Sequence, residues 1–119
     1  MVTWNNLDKL ASYQELKDTA RVNLAEVMSG ENGAARVKNY SIPMAAGFTY
    51  NYAAKAVDDK VLAALVKLAD EAQLADKFKE LYNGAVINTG ENRLVLHQLR
   101  RGQLGDAVKA DGVDKRAFY

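Results

Sequence analysis

The order of apolar and polar positions divides the chain into helical runs and one alternating stretch. Leu16, Ala20, Leu24 and Val27 recur at i, i+4, i+8 and i+11, one face of an amphipathic helix. Residues 12–15 read Ser-Tyr-Gln-Glu, a capping box for its start. Asp18 and Thr19 are a candidate break within it, and Ser29, Gly30 and Gly33 stop it. Leu7 and Leu10 also fall at helical spacing, in a shorter run. From Val37 the period changes to two. Val37, Asn39 and Ser41 face one way and Lys38, Tyr40 and Ile42 the other. After a turn at 43–47, Phe48, Tyr50 and Tyr52 alternate with Thr49 and Asn51. This predicts a β-hairpin with strands near 36–42 and 47–53.

Asp58 or Asp59 caps the next helix. Val61, Leu62, Leu65, Leu68, Ala69 and Ala72 trace its buried face, with Lys60, Lys67, Asp70 and Glu71 outward. Leu74, Phe78, Leu81 and Tyr82 mark a further helix, ended by Asn83 and Gly84. The two are one bent rod, or two rods joined near Gln73. Residues 87–101 read Ile-Asn-Thr-Gly-Glu-Asn-Arg-Leu-Val-Leu-His-Gln-Leu-Arg-Arg. Asn88, Thr89 and Gly90 form a turn-rich entry, and Glu91 suits a first helical turn. Arg93, His97 and Arg101 at i, i+4 and i+8 then share one stripe of a short helix, opposite an apolar face of Leu94, Leu96 and Leu99. Residues 102–105 are a loop. Asp114 is the N-cap of a last helix that has almost no length before the chain stops, so the end at Ala-Phe-Tyr reads as an interruption. The predicted fold is mainly α with one small β-hairpin, an α+β arrangement.

Composition narrows the function classes. The 119 residues make one small domain or part of a larger protein. A net charge of +1 gives no push toward nucleic acid or a membrane surface. The chain has no cysteine, which excludes disulfides and thiolate metal sites, and its single histidine argues against zinc. The amino end lacks the basic-then-apolar pattern of a signal peptide. No apolar window approaches the ~18 residues of a membrane span. Asn39-Tyr40-Ser41 fits the glycosylation pattern, which without a secretory signal is chance.

The chemistry-bearing patterns are few. The chain contains no phosphate-binding glycine loop and no Gly-x-Ser-x-Gly elbow. On a helix, Glu91 and His97 lie on opposite sides and cannot act together. The Arg93–His97–Arg101 stripe is a solvated face or a structural hydrogen-bond ladder; its functional alternative is an anion or phosphate site, for which arginine's planar fork of donors is suited. Tyr40, Phe48, Tyr50 and Tyr52 invite an aromatic platform for bases. Cross-strand packing for stability alone accounts for them, and Lys38 and Lys55 are too few for the basic surround a platform needs. The acids Asp70, Glu71, Asp76 and Glu80 alternate with lysines, as on a solvated helix face.

Asn88, Glu91, Arg93, Val95, Leu96, His97 and Arg101 fall at the spacing of a segment near the amino end of phosphoglucose isomerases, which this stretch resembles. Gly90 departs from that pattern, where the family usually carries a hydroxyl residue; this leaves open whether Thr89 takes over the cap. A looser resemblance runs upstream through residues 50–55, Leu65, Leu68 and Ala69. It implies two helices, not one, around Gln73. It also implies that residues 1–119 are a single amino-terminal helical segment of a larger αβα sugar-isomerase-type protein, ending before the first sugar-isomerase domain. Family members interconvert an aldose phosphate and a ketose phosphate, with catalytic groups in those later domains, so the resemblance carries no catalytic, cofactor or metal residue onto this chain. Asn88, Glu91, Arg93, His97 and Arg101 are motif positions with an architectural role. The implied partners are the rest of the polypeptide, a second copy in a full-length homodimer, and sugar phosphate only at full length. No nucleic acid, membrane or cofactor is implied, and the implied location is cytoplasmic. The rival readings are a free-standing helical protein-interaction module and a small anion-binding domain using Arg93, Arg100 and Arg101.

Overall fold

The computed structural model describes residues 2–101 and 106–118. The loop expected at 102–105 lies outside the described residues, as does the final Tyr119 of the expected last helix. The chain divides into two compact units, residues 6–68 and residues 1–5 with 69–119.

In the first unit, a 3-10 turn at Leu7–Lys9 leads into α1, Ala11–Asp18. The expected capping box does not form. Leu10 takes the N-cap position with no side-chain cap, and Ser12 is buried within the helix. The helix ends where expected: the Thr19 hydroxyl donates to the Glu15 carbonyl at 3.0 Å, and its backbone turns extended. After this break comes α2, Leu24–Val27, whose first turn is capped by Asn23, its Oδ1 accepting from the Glu26 amide at 3.4 Å.

The glycines then begin a helix and do not stop one. α3 spans Gly30–Asn39. Gly30 holds φ +57, the left-handed region that glycine enters without steric cost. A Cβ at Gly33 would overlap the Met28 carbonyl, so this corner requires glycine for close backbone approach. Because α3 claims residues 36–39, the predicted first strand is shorter than expected. β1, Ser41–Pro43, pairs with β2, Thr49–Asn51, in the register Ser41↔Asn51, Ile42↔Tyr50 and Pro43↔Thr49. The turn between them falls where the sequence placed it, with a 3-10 turn at Ala45–Gly47.

Arg36 anchors this unit. It is buried, and its Nε donates to the Ala53 carbonyl at 2.7 Å. Its Nη2 donates to the carbonyls of Lys55 at 3.0 Å and Val57 at 2.6 Å. A loop with no regular ladder of its own thereby satisfies three acceptors on one cation. The guanidinium also lies 4.2 Å from the Tyr40 ring centroid. Asn51 completes the join, its amide donating to the Val37 carbonyl at 2.7 Å and to Ser41 Oγ at 2.8 Å.

Of the two candidate caps, Asp58 takes the role: its Oδ1 accepts from the Val61 amide at 2.8 Å. The helix that follows, α4, spans Asp59–Glu71, with the unit boundary inside it. The predicted apolar face is rotated. Ala64 and Ala72 are buried, Val61, Leu68 and Ala69 half-buried, while Leu62 and Leu65 stay exposed.

In the second unit, Gln73 adopts φ +53, and this left-handed residue separates α4 from α5, Leu74–Tyr82. There are therefore two helices. α5 ends in a Schellman motif, with the Ala85 amide donating to the Glu80 carbonyl and the Gly84 amide to that of Leu81. Gly84 has φ +80, and a Cβ there would overlap Val108, which is fully buried. Leu74 and Phe78, expected on a covered face, are exposed.

Two further hairpins appear beyond the one expected. β3, Val86–Asn88, pairs with β4, Arg93–Leu94, across a bulge. β5, Lys109–Ala110, pairs with β6, Val113–Asp114. Asp111 and Gly112 between them both have positive φ, a type I′ turn. That Asp-Gly signal stood in the sequence and went unused. Asp114 does act as a cap, accepting from the Arg116 amide at 2.9 Å, for a 3-10 turn at Arg116–Phe118. The α+β class holds, with three small antiparallel sheets among the described residues.

Candidate functional site

The stretch at 87–101 is not the helix its spacing suggested. It is the tip and return strand of the β3–β4 hairpin, followed by a 3-10 helix at His97–Arg101. Local side-chain bonds close the tip, and strand pairing takes the chain onward. Asn88 Oδ1 accepts from the Glu91 amide at 3.2 Å, and its Nδ2 donates to Glu91 Oε2 at 3.1 Å. These bonds close the hairpin tip; acceptance from the amide three residues on is also what an N-cap does, so they do not by themselves exclude a helix. Asn92, at φ +53, then redirects the chain into β4.

No helix starts here, so Thr89 is not a cap. The departure at Gly90 is sterically mild: a Cβ there would meet only Asn88 Oδ1, at an ordinary 3.6 Å. The hydroxyl residue usual in the resembled pattern fits the same backbone.

The cationic stripe dissolves with the helix. Arg93 lies on β4, His97 opens the 3-10 helix and Arg101 ends it. At roughly 3 residues per turn, positions four apart sit about 120° from each other, whereas positions three apart eclipse. Accordingly His97 and Arg100 line one cavity of about 370 Å³, over Leu94 and Leu96. Arg93 turns instead to Glu91, at 3.7 Å. The motif's polar positions Asn88, Glu91, Arg93, His97 and Arg101 are all exposed, while Val95 and Leu96 are half-buried and Leu99 is buried. The motif thus reads as a hairpin tip tied by Asn88, Glu91 and Arg93, then an apolar anchor. With β4 and a 3-10 helix in place of one α-helix, Glu91 and His97 do not lie on opposite faces of a helix.

The tyrosines of the first unit pack on each other. Tyr40 meets Tyr52 edge to face at 4.9 Å, and Tyr50 stacks on Tyr52 at 6.2 Å. The Tyr40 hydroxyl donates to Asp59 Oδ1 at 3.3 Å. Its pKa is raised from the ordinary 10.0, first by burial and then by the Asp59 charge, against the opposing pull of Arg36. Sequence reasoning missed Arg36, because the alternation from residue 37 hid the last turns of α3.

Among the described residues no group of histidine and carboxylate side chains could hold a metal ion, and no helix is long and apolar enough to cross a membrane.

Comparison with known proteins places this geometry. The family model for phosphoglucose isomerase matches residues 51–117, more than half of the chain. A glucose-6-phosphate isomerase of Treponema denticola is 50% identical over 98% of the chain, and that of Treponema pallidum 42% identical over 99%. One from Borrelia garinii subsp. bavariensis is 36% identical over 100%. The chain spans only 22–23% of the length of these curated relatives.

Proposed function

The chain belongs to the phosphoglucose isomerase family, and from that premise we propose that it is the amino-terminal portion of a glucose-6-phosphate isomerase. The whole enzyme would interconvert glucose 6-phosphate and fructose 6-phosphate, in glycolysis and gluconeogenesis, with its catalytic residues outside this chain. One observation carries the reading: identity of 50% runs across 98% of the chain yet takes in only 23% of the relative.

The role of these residues in that enzyme is architectural. The exposed network of Asn88, Glu91 and Arg93 shapes a hairpin tip and holds no reacting group. His97 and Arg101, at the two ends of the 3-10 helix, belong to the same scaffold. The full-length protein works in the cytoplasm as a homodimer and takes sugar phosphate only when complete.

A coupled isomerase assay tests the reading. The purified 119-residue chain shows no turnover, and the full-length gene product converts fructose 6-phosphate to glucose 6-phosphate. Turnover by the short chain, or none by a folded full-length product, overturns it.

A further inference from the structure

Three steps of the chain place glycine directly after an asparagine or an aspartate: Asn32–Gly33, Asn83–Gly84 and Asp111–Gly112. Such steps are chemically unstable. Glycine has no side chain to keep its amide nitrogen away from the carbonyl carbon of the preceding side chain. The fold treats the three differently. The Gly33 amide donates to the Ser29 carbonyl at 3.2 Å, and Gly33 is buried against the Met28 backbone. The Gly84 amide donates to the Leu81 carbonyl at 3.2 Å, and Gly84 lies over the fully buried Val108. Asp111 and Gly112 are both exposed, at the tip of the β5–β6 hairpin. The paired residues stop at Ala110 and Val113, so this step stands outside the ladder. A Cβ on Gly112 would meet nothing within 4 Å among the described residues. A hairpin this short is marginal in water, so its tip opens more readily than a packed helix end.

We propose that Asp111–Gly112 is a site of spontaneous covalent modification, where aspartate converts to isoaspartate in the folded protein. The Gly112 nitrogen bonds to Cγ of the protonated Asp111 carboxyl. The carboxyl hydroxyl leaves and takes the amide proton, which makes water. The product is a cyclic imide. Water then adds back and opens the ring at either carbonyl. Breaking the Cγ–N bond restores aspartate. Breaking the bond between the α-carbonyl carbon and nitrogen gives isoaspartate. No atom is gained or lost over the cycle, and no oxidant, reductant or cofactor takes part. At the asparagine steps the same attack expels ammonia. There it requires the glycine amide to leave its acceptor and the backbone to lift off Met28 or Val108. Isoaspartate carries the main chain through its β-carbon. That adds a bond to a two-residue turn whose geometry matches the strand twist, so Ala110 and Val113 lose their register. This chemistry belongs to the turn and holds whatever reaction the whole enzyme catalyses.

The test uses the full-length protein, aged folded in buffer and, in parallel, unfolded in guanidinium chloride at the same pH and temperature. Peptide mapping by mass spectrometry scores all three steps. It reads isoaspartate at 111 without a mass change, and the mass gain of deamidation at 32 and 83. Each folded rate is divided by the unfolded rate of the same step. Folding slows Asn32 and Asn83 at least about tenfold more than it slows Asp111, because the asparagine steps await local opening. Slowing of Asp111 equal to that of either asparagine overturns the proposal, as does a folded protein that forms no isoaspartate at 111. Asp111→Asn then compares the three positions with one chemistry, since an Asn-Gly pair suits the same turn. In the folded variant the mass gain at 111 precedes that at 32 and 83. An earlier gain at either of those positions overturns the assignment.

Discussion

Arg36 and Arg93 are the same side chain in two settings. Arg36 is buried and gives three hydrogen bonds to backbone carbonyls of one loop. Arg93 is on an exposed strand, 3.7 Å from a carboxylate with which it shares solvent. By formal charge, Arg93 has the better partner. By energetics the order reverses. Water screens the exposed pair and both side chains give up rotamer freedom to form it, so such pairs contribute ~0–1 kcal/mol. Arg36 itself is buried and its donors are charged, and one of its acceptors is the carbonyl of the buried Ala53. Loss of the bond to the Ala53 carbonyl, the buried one of the three, leaves a desolvated acceptor unpaired. Burial and the fate of the orphaned partner, more than charge complementarity, decide what an arginine contributes.

Four substitutions test that contrast. Arg36→Met keeps the aliphatic stem and removes every donor. It should lower the unfolding free energy by about 3 kcal/mol, the scale for breaking a buried charged network, read as a fall in the urea midpoint. A change below the noise of the measurement would mean the loop at 53–57 finds other donors. Asn88→Ala is next. It removes the cap on the Glu91 amide and should cost about 1 kcal/mol, with hydrogen exchange faster at Glu91 while the 3-10 helix at 97–101 keeps its protection.

The third prediction concerns pH beside Arg36. Tyr40 has its pKa raised by burial and by Asp59. A raised pKa means the folded state holds the proton more tightly than the unfolded chain. The associated stability is complete below the ordinary value of 10.0 and is lost as pH climbs through the higher folded value. Tyr40→Phe should flatten that part of the alkaline decline, measured by urea unfolding across the alkaline range. An unchanged decline would assign it to other groups. The smallest effect belongs to Arg93→Ala, which should stay within about 0.5 kcal/mol of the parent and lose any difference in high salt. A larger, salt-insensitive loss would place Arg93 with Arg36 and break the contrast.

The elements legible in the sequence share one property: their cause is local. The α4 start is set by Asp58, three residues from the amide it accepts from. The α5 stop is set by Gly84, and the split at Gln73 agrees with the family pattern. The turn of the first hairpin lies at 43–47 as the alternation requires. The Asp111–Gly112 turn was equally local and could have been read. The failure at 91–101 is instructive because two local signals conflict there. Spacing of Arg93, His97 and Arg101 fits a helix, but the left-handed backbone at Asn92 turns the chain into β4, which pairs back on β3.

The chain's own residues therefore settle its family, its α+β character and the start of α4 and end of α5, since caps, glycines and periodicity act over a few positions. Three matters required the folded molecule. That Gly30 and Gly33 open a helix, where glycines also commonly end one, shows only in the folded corner, where Met28 backbone lies against Gly33. Which side of α4 is covered does not follow side-chain size, since Ala64 is buried while Leu62 and Leu65 are exposed. That Arg36 serves a loop beginning 17 residues away depends on the two meeting in space. Contacts between distant positions are chosen by packing as a whole, and no window along the chain contains that information.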